Sequence, residues 1–119
     1  MSNMGQFPPQ VQERLQRLQN LQNTYQQLLV QKQRIEMEKM ESEKALETLK
    51  DVAAGAKVFK SVGAVLVEKP KDNVVTELGE RVEFLEMRLK VLVKQEDKTK
   101  EKMTSIQETL QKELGMPTQ

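Results

Sequence analysis

Apolar residues return every three or four positions along two long stretches of this chain. In the first, Val11, Leu15, Leu18, Leu21, Tyr25, Leu28 and Ile35 form one stripe. It weakens at Lys32, Lys39 and Ser42 and resumes at Leu46, Leu49 and Ala53. The spacing predicts a helix over 10–54, opened by Pro8 and Pro9 and closed by Gly55 in a left-handed C-cap. In the second stretch the stripe is Leu78, Val82, Leu85, Leu89 and Leu92, then Glu96 and Thr99, then Met103, Ile106, Leu110 and Leu114. It predicts a helix over 73–114, capped by Asp72 or Asn73 and ended by Gly115 and Pro117. At 1.5 Å per residue these helices are roughly 65 and 60 Å long. Glu77 with Arg81, Glu86 with Lys90, Glu96 with Lys100 and Glu108 with Lys112 are acid-to-base pairs four apart in the favourable direction. Gly79, inside the second helix, costs about 1 kcal/mol relative to alanine.

Near-3.5 spacing sustained over several heptads indicates a coiled coil. Folding the chain back so that paired numbers sum to about 131 brings Leu46 to Leu85, Ser42 to Leu89, Lys32 to Thr99 and Leu28 to Met103. Tyr25 then faces Ile106 and Leu21 faces Leu110, and the two weak middles coincide. The expected fold is therefore mainly α, one domain over 1–119, a long antiparallel coiled-coil hairpin with both chain ends at the far tip. Two separate parallel coils with partner chains are the alternative.

The segment over 56–69 follows a different pattern. Lys57–Lys60 and Ala64–Val67 are β-branched or aromatic runs about Gly63, which predicts a single β-hairpin in the linker. The turn lacks the preferred Asn-Gly pair, and Val62 would resist a positive φ. A lone two-stranded hairpin is marginal in water. Val65, Leu66 and Val67 are apolar on consecutive positions, hence on both faces, and the helices can cover one face at most. The hairpin is thus expected to assemble with hairpins of other chains into an inter-subunit sheet or barrel, through Val58, Phe59, Val65, Leu66 and Val67. A hairpin that merely caps the coil is the plainer alternative.

Composition narrows the function. The chain has 119 residues, 31% of them charged and 3% aromatic, with a mean hydropathy of -0.65. That is too little apolar bulk for a compact globule and enough for helices that each bury one stripe. A net charge of +1 argues against nucleic acid and against a membrane surface as partners. Histidine and cysteine are absent, which removes the commonest general base near neutral pH and the commonest soft metal ligands. No catalytic residue, metal or cofactor is expected. Met1–Pro9 lacks the basic and apolar regions of a signal peptide, and the longest apolar run, Val62–Val67, is far short of a bilayer span. A cytoplasmic protein is the expectation.

Some motifs tempt. Gly55–Ser61, "GAKVFKS", has the outline of a phosphate-binding loop, but it lacks the second glycine and its Lys60 lies in a strand-like run. Glu36 and Glu38, or Glu96 and Asp97, have no pocket to shift their ionisation and read as solvated faces. "KQEDKTKEK", Lys94–Lys102, alternates in sign and reads the same way.

The helix ends are more informative. From Gln6 to Gln33 glutamine occurs ten times, while the charged residues are only Glu13, Arg14, Arg17 and Lys32. Val11, Leu15, Leu18 and Leu21 line one side, with Met4 and Phe7 just before; the other helix end supplies Ile106, Leu110, Leu114 and Met116. As plain seam residues these would satisfy one another. In the 131 pairing, however, Val11 and Leu15 need partners near 116–120, where Gly115 and Pro117 prevent helix, so they are expected to be exposed. Exposed apolar residues in a sparsely charged setting suit non-directional contact with extended peptides. The candidate client-binding set is Val11, Leu15, Leu18, Leu21, Ile106, Leu110 and Leu114.

A long coil, then "AKVFKSVGAVLVEKPKDNV" as a single hairpin, then a coil containing "LEMRLKVLVKQED", resembles a prefoldin subunit of the β class and archaeal type. The resemblance runs from Phe7 to about Leu114 and is most specific at "VFKSVGAVLV". Subunits of the α class carry two hairpins in the linker, and this linker has room for one. The match departs at Gly79 and in the charge content of "KQEDKTKEK". The resemblance implies a heterohexamer of two α-class and four β-class chains whose hairpins build a double β-barrel base. It further implies an ATP-independent chaperone that holds unfolded polypeptides at the coiled-coil tips and delivers them to a group II chaperonin. The competing function is a structural coiled-coil adaptor that docks one defined folded partner; an enzyme comes third.

Overall fold

The computed structural model describes residues 7–115. In order they form α1 (Pro9–Lys50), β1 (Val58–Val62), β2 (Val65–Lys69) and α2 (Lys71–Glu113). This is the expected mainly α class: two long helices with a two-stranded antiparallel hairpin between them. Met4 and Met116, named above for the helix ends, lie outside the described residues.

Proline opens both helices. Pro9 sits at the first helical position, where its missing N–H is no loss. The Pro8 carbonyl accepts from the amides of Val11 (3.0 Å) and Gln12 (3.1 Å), and Gln12 Nε2 donates to the Phe7 carbonyl at 2.7 Å. The Pro70 carbonyl likewise accepts from Asn73 (3.1 Å) and Val74 (3.3 Å). So α2 begins at Lys71, two residues before the expected start, and Asp72 is not the cap. It lies in the first turn, where its negative charge complements the helix dipole.

The helix ends differ from each other. Gly115 has φ 66 and its amide donates to the Lys112 carbonyl at 3.3 Å, a left-handed cap as its position predicts. Gly55 does not have a positive φ, and α1 ends at Lys50 rather than Ala54. The backbone leaves instead through tightened turns. Asp51 donates to Thr48 (3.3 Å), Val52 to Leu49 (3.2 Å) and Ala56 to Ala53 (3.0 Å), all three residues back. The Lys71 ammonium caps the free Val52 carbonyl from the start of α2.

The described chain falls into two contact units, one up to Lys32 and from Leu92, the other Gln33–Val91. In the first unit the helical segments run antiparallel, joined by Arg14 to Glu113 and by Lys32 to Glu96 at 2.9 Å. Those residue numbers sum to 127 and 128, about one helical turn short of the expected 131. Leu21 and Ile106 border one groove. Leu28, Thr99, Glu96 and Leu110 are buried.

In the second unit Lys39 reaches Glu86 at 3.6 Å and Arg81 reaches Glu38 at 3.0 Å. Leu46, Leu49, Val75 and Val82 border a single groove. Leu85 is 2% exposed and Ile35 4%. The polar residues Ser42, Glu96 and Thr99 are buried at the seam positions that the stripe assigns them. Of the acid-to-base pairs four apart, Glu96 and Lys100 approach to 4.0 Å. Glu77 and Glu86 turn to other elements instead.

Candidate assembly and client-binding surfaces

The hairpin pairs Val58 with Lys69, Phe59 with Glu68, Lys60 with Val67, Ser61 with Leu66 and Val62 with Val65. Gly63 and Ala64 make the two-residue turn. Gly63 has φ 57 and Ala64 a negative φ, the pattern of a type II′ turn, whose twist matches that of the strands. The difficulty foreseen at Val62 does not arise, because Gly63 takes the left-handed position and Val62 remains in β1.

Period-two alternation then sorts the side chains. Val58, Lys60, Val62, Val65, Val67 and Lys69 share one face; Phe59, Ser61, Leu66 and Glu68 share the other. The first face turns toward α2: Lys60 Nζ donates to Glu77 Oε2 at 2.9 Å and Lys69 Nζ to Glu77 Oε1 at 3.1 Å. These two ammonium groups, Lys60 before Lys69, hold the Glu77 carboxyl below its ordinary 4.5. Beside them Val74, Leu78 and Phe84 floor a shallow open groove.

Even so, the hairpin is not covered. Phe59 is 54% exposed, Val65 60% and Leu66 68%; Val62 and Val67 are exposed too, and Val58 is half-buried. Apolar side chains thus meet solvent on both faces, and among the described residues the sheet has two strands, so each keeps an open edge. Backbone N–H and C=O groups on open edges, flanked by apolar side chains, are a template for strands of other chains.

The helix ends answer less simply. Val11 is 2% exposed and Leu110 6%, so the expectation that Val11 stands free is wrong. The Arg14–Glu113 pair places the last turn of α2 beside the first turns of α1. Leu15, Leu18, Leu21 and Ile106 are half-buried, and Leu114 is 37% exposed. Tyr25 carries the Lys100 ammonium over its ring, 5.6 Å from the centroid.

Outside the hairpin, the most exposed large apolar side chains are ones that the stripe did not single out: Met87, Met40, Met37, Val91, Phe84 and Val30. The signal was present in the sequence. Phe84, Met87 and Val91 follow one another at three and four residues off the seam, as do Met37 and Met40, so each set lines a helix face of its own. Methionine is flexible and polarisable, which suits a surface that accepts varied partners.

Comparison with known proteins agrees with this architecture. The family model described as "Prefoldin subunit" matches residues 12–116. The prefoldin subunit beta of Methanothrix thermoacetophila is 40% identical over 93% of this chain and 92% of its own length. That of Thermococcus kodakarensis is 39% identical over 97% of this chain and 98% of its own. The crystal structure of the prefoldin beta subunit from Thermococcus strain KS-1 superposes with a TM-score of 0.83 at 38% identity, covering 98% of this chain and 100% of that one.

Proposed function

Since the chain belongs to the prefoldin family, as a β subunit of that chaperone, we propose that its hairpin builds the complex and that its coiled coil holds non-native polypeptide without ATP. The observation that carries this reading is the uncovered hairpin, apolar on both faces with two open edges and Leu66 68% exposed. Partner strands supply what it lacks. The assembly is a cytoplasmic heterohexamer of α-class subunits and further copies of this chain, their hairpins closing into a β-barrel.

Clients meet the half-buried Leu15, Leu18, Leu21 and Ile106 and the exposed Leu114. Val11 and Leu110 contribute only where the seam opens. Each captured apolar side chain is worth about 1.5–3 kcal/mol at full burial, so one coiled coil binds weakly and several around one cavity bind by effective concentration. Bound chains pass to a group II chaperonin by competition. No nucleic acid, membrane, metal or cofactor enters this scheme, and no catalytic role is proposed. Among the described residues no helix is long and apolar enough to cross a membrane. An adaptor for one folded partner is the less favoured function, since the relatives are chaperone subunits.

The test is suppression of aggregation of a denatured protein by the complex of this chain with an α-class subunit. Leu15→Ser with Leu114→Ser should weaken suppression while leaving the mass of the complex unchanged. Undiminished suppression would remove the helix ends from the client site. Loss of suppression on Met40→Ser with Met87→Ser instead would move that site to the exposed helix faces.

A further inference from the structure

Glu77 lies in the second turn of α2, and its one carboxylate serves both strands. Lys60 Nζ of β1 donates to Oε2 at 2.9 Å and Lys69 Nζ of β2 to Oε1 at 3.1 Å. Arg81, the basic residue four positions on along the same helix, does not compete, because its guanidinium reaches Glu38 at 3.0 Å. The three side chains of the clamp are partly exposed, Glu77 42%, Lys60 46% and Lys69 32%. Exposed ion pairs contribute little to stability, so the consequence of this arrangement is orientation.

The covalent joint leaves that orientation open. Pro70 alone separates β2 from α2. Its ring fixes one torsion, φ, while the torsions on either side still let the hairpin swing about the start of the helix. Two bonds to one carboxylate, one from each strand, hold the swing. Lys60 and Lys69 belong to the face that carries Val58, Val62, Val65 and Val67. The clamp therefore turns that face to α2 and the face of Phe59, Ser61, Leu66 and Glu68 away from it. The same four residues govern the edges. Val62 and Val65 close the two-residue turn as a hydrogen-bonded pair, and bonded pairs alternate from there, so Lys60–Val67 and Val58–Lys69 exchange their bonds inside the hairpin. The N–H and C=O groups that point off the two edges are those of Phe59, Ser61, Leu66 and Glu68. One clamp thus sets which side chains and which backbone groups an incoming strand meets.

We propose that Glu77 is the positioning residue for assembly. By holding Lys60 and Lys69 it presents the outward face and both edges of the hairpin in the orientation that a strand of a neighbouring subunit requires. The role rests on the hairpin being the assembly surface. Orientation set before the encounter removes part of the ordering cost of binding. The clamp therefore acts on how fast subunits join and not on the composition of the finished complex.

The full-length chain is mixed with an α-class prefoldin subunit and association is followed by stopped-flow light scattering. Glu77→Gln should slow association by about three- to tenfold, the factor by which the oriented population falls, at unchanged helix content by circular dichroism. Lys60→Glu alone should slow it as well. Lys60→Glu with Glu77→Lys, which reverses the pair, should recover most of the loss; a residue that merely supports its own helix is not rescued by a charge change on a strand. The positioning role is overturned if Glu77→Gln associates as fast as the parent, or if the reversed pair stays as slow as the single variants. Failure of the hairpin as assembly surface looks different: Phe59→Ser with Leu66→Ser would then leave both the rate and the final mass unchanged.

Discussion

Lys60 of β1 and Glu77 of α2 lie 2.9 Å apart, and the same carboxylate takes a second bond from Lys69 of β2. One acidic residue thus ties both strands to the helix that follows them. Because its partners hold the Glu77 carboxyl below 4.5, the tie stabilises the native state above that pH and is lost as pH falls through the lowered value. Glu77→Gln should speed amide exchange in Val58–Val62 and Val65–Lys69 at pH 7. Below the lowered value, where both side chains are neutral, variant and parent should exchange alike. Equal rates at pH 7 would show that the strands do not depend on this tie.

The hairpin should govern mass. Phe59→Ser with Leu66→Ser removes the two large apolar groups from the face turned away from α2, and both are already exposed, so the helices should keep their stability. Light scattering of the chain mixed with an α-class subunit should show smaller species at unchanged helix content. An unchanged mass would mean that assembly uses another surface.

The turn is specific to glycine at one position. Gly63 has φ 57, and a Cβ there meets no atom within 4 Å, so the penalty of a substitution is backbone strain and not a clash. Gly63→Val should destabilise the hairpin by about 1–3 kcal/mol, read as faster amide exchange in both strands. Gly79→Ala should act in the opposite sense. Its Cβ also meets nothing within 4 Å, its φ is not positive, and alanine gains about 1 kcal/mol in a helix interior. If the melting temperature of the chain rises while the complex weakens, Gly79 is where a neighbouring subunit comes close.

Within the coil, burial should separate two residues that are only two positions apart. Leu85→Ala, at 2% exposure, should cost about 2–5 kcal/mol. Met87→Ala, at 67% exposure, should stay within about 0.5 kcal/mol. Urea denaturation of the two variants measures both.

How far the sequence discloses this molecule depends on what sort of information each element uses. The two helices and the hairpin are written locally, in 3.5-residue spacing, in prolines and in one β-branched run, and their places could be read directly. The turn needed only a glycine at the right position. The register could not be read from the same pattern, because a heptad repeat slipped along its partner still lays apolar on apolar. Cross-helix ion pairs such as Arg14–Glu113 and Lys32–Glu96 depend on that register, and single letters do not announce them. Phe84 and Met87 lie on a second, exposed face of α2, which the periodicity of the seam does not mark.

The two strands are attached to their helices very differently. Seven residues, 51–57, separate α1 from β1, whereas Pro70 alone stands between β2 and α2. A single residue with a fixed φ leaves almost no slack, and Glu77 braces the same joint from the helix side. Force applied to the sheet therefore enters α2 as through a stiff lever, while the α1 side has cable to spare. In the proposed assembly, a pull of partner strands on the hairpin would load α2 directly, and the α1 junction would absorb the strain.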